Sequence, residues 1–261
     1  MRDAAGLCEP IGKRSRMWDW GTFLHYIYSP YLLTGAAISL GISIGAMLIG
    51  LVLGLIAAVM RMSSRWWIKQ PASLYVWLFR GTPVLVQLII IYTGLPQLGI
   101  TLGVVASALA GLGINEGAYL AEIIRAGINS VPKGQFEAAR AVGMTWSKTM
   151  RIIIFPQAFR IILPPLGNAF NGLMKTSSLA SAISMEELLR RTELLVQVKF
   201  KVLELFCVAA LYYLVLTTLW GFVQSWLEAR ASRSVTSRFP TPAVAANPIN
   251  IDNTVLSHDA S

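Results

Sequence analysis

Residues 137–165 read EAARAVGMTWSKTMRIIIFPQAFRIILPP, and the order of small, turn-forming and apolar residues in this stretch sets the architecture on either side of it. Glu137 is expected at the start of a helix, where a carboxylate complements the positive end of the helix dipole. Ala138 and Ala139 add little bulk, so a partner surface can approach the backbone. Gly143 can take the left-handed conformation that ends a helix and turns the chain. Trp146 to Phe155 then reads as a second short amphipathic stretch, ended by Pro156. A helix, a glycine turn and a second helix make a compact knob suited to docking another protein.

Outward from this knob the chain is apolar. Hydrophobic residues make up 55% and charged residues 13%, against about 25% charge in soluble domains. Leu32 to Met60 carries no charge and exceeds the roughly 20 residues that cross a bilayer. It begins too late, and runs too long, for a cleaved signal. Further apolar regions cover about Leu74–Leu98 (interrupted by Arg80-Gly81-Thr82-Pro83), Ile100–Ile124, Ala158–Met185 (broken by Pro164-Pro165) and Leu203–Leu227. The expectation is an all-α integral membrane protein of about five transmembrane helices.

The net charge of +9 belongs with this topology. Basic residues crowd beside the spans, as orientation in a membrane requires, which displaces nucleic acid as a partner. Arg61, Arg65, Lys69 and Arg80 lie between the first two spans. Six more basic residues, from Arg125 to Arg160, surround the 137–165 segment, and Arg230, Arg233 and Arg238 follow the last span. These segments are placed inside, with the N-terminus outside, although Arg2, Lys13, Arg14 and Arg16 dissent. The chain divides into an N-terminal tail and interfacial segment (1–31), a transmembrane domain (32–230) with a cytoplasmic loop at 131–156, and a polar C-terminal tail (231–261) expected to be disordered. Trp18, Trp20, Tyr26 and Tyr28 suit the membrane–water interface.

Ionisable and polar groups inside the spans are candidates for a functional site, because a charge at the centre of a membrane costs at least about 2.5 kcal/mol. Glu116 and Glu122 lie six residues apart, about 240° around a helix after a full turn, so they cannot both face one narrow path. Glu122 is spaced to pair with Arg125, and Glu116 suits a cationic amino group. A structural or interfacial acid is the plain alternative. Asn168, Lys175, Thr176, Ser177 and Ser178 form a polar cluster that either lines the path or bonds its own helix, with Lys175 reaching a headgroup. The Gly41/Gly45 and Gly50/Gly54 pairs permit close helix packing.

The ordered set of motifs resembles one family. Phe79-Arg80-Gly81-Thr82-Pro83 with Val86-Gln87, Gly117–Ile123, Val131–Gln135, the Glu137 segment, Pro165–Asn168, Lys175–Leu179 and Glu187-Leu188-Leu189 are similar, in sequence and order, to ABC importer permeases of the polar amino-acid and opine subfamily. Members often carry an acid after the lysine, where this chain has Thr176, so a specificity resting on that acid would differ here. The resemblance implies a type I importer fold. It also implies a second permease subunit, a cytoplasmic ABC ATPase dimer, an extracytoplasmic solute-binding protein and a place in the bacterial inner membrane. Glu137, Ala138, Ala139, Gly143 and Pro156 would then form the ATPase-coupling loop, and Arg80, Glu116, Glu122, Asn168, Lys175, Thr176 and Ser177 the substrate pathway.

Other classes have little support. No phosphate-cradling Walker sequence is present, so ATP is expected on the partner ATPase and no cofactor on this chain. His25 and His258 stand alone, and Cys8 and Cys207 lack metal or redox spacing, so neither a metal site nor a catalytic centre is expected. An importer of an opine or another small solute is the nearest alternative. A gradient-driven transporter is the next, and it gives Glu137 no special role.

Overall fold

The computed structural model describes residues 18–236. The basic N-terminal tail and most of the polar C-terminal tail lie outside the described residues. The helices, in order, are α1 (Trp20–Ile27), α2 (Pro30–Arg61), α3 (Trp66–Gly81), α4 (Val84–Ile89), α5 (Val104–Asn129), α6 (Lys133–Ala141), α7 (Trp146–Lys148), α8 (Phe155–Thr176), α9 (Leu188–Lys199) and α10 (Val202–Thr236). Four continuous rods are long and apolar enough to cross a membrane. A fifth crossing is made by the pair 66–81 and 84–98, bent by 105°. The expected five spans are therefore present, the second as two helices joined at an elbow.

Small residues set the central packing. In α2, Gly50 lies against Glu116 and the Gly117 backbone, and Gly54 against Leu120 and the Gly117 carbonyl, each so close that an added Cβ would meet atoms at 3.2 Å or less. The two helices run in the same direction, since Gly45 meets Leu109 and Gly54 meets Leu120. The bent span provides the return between them. In hydrocarbon, where lipid is as apolar as leucine, such close backbone approach supplies much of the helix association. Gly41 has open space around its Cα, so the expected Gly41/Gly45 pairing contributes only through Gly45.

Three prolines behave differently from the sequence expectation. Pro156 does not end a helix, and Pro164-Pro165 do not break one. The chain from Trp146 to Ile183 is one continuous rod. A π-helical turn at Thr149–Ile154 leads into α8, placing Pro156 near the new helix's first turn, where a missing N–H costs least. Further along, α10 supplies donors to the carbonyls of α8. Trp220 Nε1 donates to the Gly167 carbonyl at 2.8 Å and Gln224 Nε2 to the Pro164 carbonyl at 3.4 Å. These bonds fasten α10 to the proline-containing stretch of α8.

At the Ser29 end, α9 is fastened to the spans by Glu187. Its buried carboxylate accepts from Arg190 N (2.8 Å), Ser39 Oγ of α2 (3.0 Å) and Tyr213 OH of α10 (3.0 Å). The amphipathic α1 is held to α10 by Tyr212 OH on the Ile27 carbonyl (2.7 Å), by Asp19 N on Glu204 (3.0 Å) and by the Asp19–Lys201 ion pair (3.3 Å). Trp20 and Tyr28 are exposed beside it.

Candidate functional site: a polar cavity and an exposed knob

The elbow in the bent span organises a polar cavity. Pro83 lacks the N–H that would continue the helix, and Thr82 before it is extended, with φ −120° and ψ 146°. Two carbonyls at the end of α3 are thereby freed. Thr82 Oγ1 donates to the Leu78 carbonyl at 2.9 Å, and the Phe79 carbonyl accepts from Gln87 Nε2 (3.0 Å) and Asn115 Nδ2 (2.9 Å). The sequence interruption Arg80–Pro83 thus becomes a turn pinned to α5.

The cavity beside this elbow measures about 720 Å³, and Arg80, Thr82, Asn115, Glu116, Tyr119, Asn168 and Thr176 are among the residues lining it. That volume lies within the roughly 300–1,000 Å³ of small-molecule sites. Glu116 is buried, with its side chain against Gly50. No hydrogen bond or ion pair from the described residues reaches its carboxylate. Arg80 lies 5.2 Å over the Tyr119 ring, a cation–π distance. The cavity wall therefore brings together one carboxyl group without a partner among the described residues and one guanidinium.

Glu122 occupies a different position. Its carboxylate binds Arg61 of α2 at 2.5 Å and Arg125 at 2.7 Å, while Arg80 approaches at 3.4 Å. It does not line the cavity. Lys175 is exposed away from the lining, and Ser177 is buried with its hydroxyl on the Met174 carbonyl at 2.8 Å. Thr176 reaches the lining, although its hydroxyl bonds the Gly172 carbonyl of its own helix at 3.1 Å. The structure therefore brings Arg80, Glu116, Asn168 and Thr176 together and leaves Glu122, Lys175 and Ser177 outside. Asn115 and Tyr119 join the lining without having been singled out in the sequence. Their signal was spacing: 115, 116 and 119 share one face with the i, i+3, i+4 relation of a helix.

The knob at 131–156 has a sharper turn than its sequence requires. Gly143 adopts φ +73°. Met144 N donates to the Ala139 carbonyl at 3.0 Å and Gly143 N to the Arg140 carbonyl at 2.9 Å, the paired bonds of a Schellman stop. Nothing crowds the Gly143 Cα, so the requirement there is conformational. Glu137 does not start α6. The helix begins at Lys133 after Pro132, which places Glu137 mid-helix, where the dipole argument lapses. Ala139 is buried, while Glu137, Ala138 and Val142 are exposed. Ala139 thus faces the knob's own interior, and only Ala138 of the alanine pair offers an open surface.

Residues 50–233 match the family model described as the binding-protein-dependent transport system inner membrane component. An arginine transport system permease protein of Corynebacterium glutamicum is 38% identical over 243 residues, covering 88% of this chain and 77% of the relative. An L-cystine transport system permease protein of Bacillus subtilis is 40% identical over 219 residues, covering 84% and 92%. The crystal structure of an amino acid ABC transporter with histidines superposes with a TM-score of 0.77 at 40% identity, covering 82% of this chain and 99% of that one. Five apolar crossings, a bent second span, a glycine-stopped knob and this family match agree: the chain belongs to the binding-protein-dependent inner-membrane permeases of ABC transporters.

Proposed function

We propose that this chain forms half of the pore of an importer for polar amino acids in the bacterial inner membrane. ATP is bound and hydrolysed by a separate cytoplasmic ATPase dimer, and solute arrives from an extracytoplasmic binding protein. A second permease subunit supplies the other half of the pore. The observation that carries the substrate reading is the unpaired Glu116 carboxylate in a cavity that also holds Arg80. An α-ammonium group would neutralise the first and an α-carboxylate the second. Similar proteins named for arginine and L-cystine transport support the same class.

The exposed Glu137 and Ala138, carried on a helix that Gly143 ends abruptly, suit insertion into a groove on the ATPase. The rod from Trp146 to Ile183 would convey that movement directly to the cavity, since Pro165, Asn168 and Thr176 of the same rod line it. No bond in the solute changes, so the role is transport. An opine, which also carries amino and carboxylate groups, fits the same charges and is the second reading.

The test is uptake by the complete transporter reconstituted in proteoliposomes with its ATPase and binding protein. Wild type is expected to accumulate at least one polar amino acid only when ATP is supplied, and Glu116→Gln to lower that uptake. ATP-independent accumulation, or a Glu116→Gln variant that matches wild type, would overturn the reading.

A further inference from the structure

The hydrogen bonds around the elbow have a direction that backbone carbonyls dictate. Leu78 O can only accept, so Thr82 Oγ1 spends its proton there. That hydroxyl is then an acceptor for Gln87 Nε2 at 2.8 Å, and Gln87 Nε2 also reaches the Thr82 carbonyl at 3.1 Å and the Phe79 carbonyl at 3.0 Å. With its amide nitrogen so committed, Gln87 turns Oε1 toward Asn115, whose Nδ2 donates to it at 3.1 Å and to the Phe79 carbonyl at 2.9 Å. Both donor hydrogens of Asn115 are then used. Its Oδ1, which accepts from none of the described residues, is the polar atom left for the cavity that Asn115 lines.

We propose that Gln87 is a positioning residue: buried behind the cavity and absent from its lining, it locks the Asn115 amide so that a carbonyl acceptor stands beside Glu116, and the site thereby selects solutes with a cationic N–H group. Gln87 touches no solute in this account. A reversed Asn115 amide would present N–H donors to the same group and repel a cation. The two acceptors, one charged and one neutral, belong to adjacent positions of α5, and a primary ammonium has donors for both. This inference rests on the importer reading and specifies which chemical feature of the solute the permease itself reads.

The test compares two solutes in the reconstituted transporter. They are the amino acid that wild type carries best among arginine, glutamine, histidine and cystine, and its 2-hydroxy acid analogue, which lacks the ammonium group. The binding protein contributes equally to every variant, so the ratio of KM values isolates the permease. Gln87→Met and Gln87→Leu, two apolar fillings of the same space, free the Asn115 amide to turn. Either variant that assembles is expected to reduce the preference for the amino solute about tenfold, the scale of one hydrogen bond to a charged group. Thr93→Val, on the same bent span with its hydroxyl on the Ile89 carbonyl (2.8 Å) and outside the cavity lining, should keep the wild-type preference. An unchanged preference in the Gln87 variants would overturn the inference while leaving the importer reading intact, as would an equal loss in Thr93→Val. Failure of wild type to carry any of the four amino acids would overturn both.

Discussion

The Glu122 carboxylate meets the Arg61 guanidinium at 2.5 Å, tying α2 to α5 near the end at which both helices finish. With Arg125 at 2.7 Å and Arg80 at 3.4 Å, three cations surround one anion. The excess positive charge sits beside the cavity, and Glu122 is what holds it together. Glu122→Gln leaves three guanidiniums without a counter-charge. In these partly exposed surroundings it should destabilise the permease by about 1 kcal/mol, read as a lower thermal transition of the purified transporter. Arg80→Gln, which removes the longest of the three contacts, should cost less stability and lower uptake more.

The parallel packing of α2 on α5 predicts a contrast between two glycines of the same helix. Gly54→Val drives a side chain into Leu120 Cβ, 2.8 Å from the Cβ position, and into the Gly117 carbonyl at 3.0 Å. Overpacking of this kind costs about 1–3 kcal/mol and should reduce the yield of folded transporter. Gly41→Val meets nothing within 4 Å and should leave the yield unchanged.

The Gly143 stop predicts a conformational preference at one position. An L side chain at φ +73° costs about 1–2 kcal/mol. Gly143→Val should loosen the knob and weaken co-purification of the ATPase subunit. Gly143→Asn, which tolerates the left-handed region, should preserve it.

A pH effect is expected at the interfacial helix. The Asp19 carboxyl is lowered to about 2 from 3.8, first by the Thr22 backbone N–H, then by the Thr22 hydroxyl and by Lys201. A carboxylate with a depressed folded pKa contributes stability that is present above the unfolded value and lost as pH falls. The docking of α1 on α10 should therefore weaken between about pH 4 and pH 2, measured as protease access to the α1–α2 junction. Asp19→Ala should show that access at neutral pH.

Much of this architecture was legible in the sequence because each signal was local. Uncharged runs gave the spans, Gly143 gave the turn, and Arg80-Gly81-Thr82-Pro83 gave the interruption that proved to be the elbow. What escaped was whatever depends on a neighbour. Pro164 and Pro165 read as a break, yet α8 runs through them, and the Trp220 and Gln224 side chains that fasten this stretch to α10 lie more than fifty residues away. Pro156 read as a stop because a π-helical turn leaves no mark in composition. Glu137 reads as a helix start from its own charge, whereas the helix begins earlier, at Lys133 after Pro132. Asn115 and Gln87 were passed over for another reason: neutral amides carry no charge to flag them in an apolar span, and their meaning lies in the direction of hydrogen bonds that only the folded elbow sets.

The most direct measurement of the central claim is uptake of a labelled polar amino-acid panel by cells lacking this chain, complemented with wild type or Glu137→Lys, with membrane insertion of both verified. Glu137 is exposed on α6, so its replacement leaves the cavity and the packed spans untouched. The account predicts that wild type restores uptake and that the inserted Glu137→Lys variant does not, because an ATPase can no longer engage the knob. Equal restoration by both would contradict ATPase coupling through Glu137 and favour a transporter driven by an ion gradient.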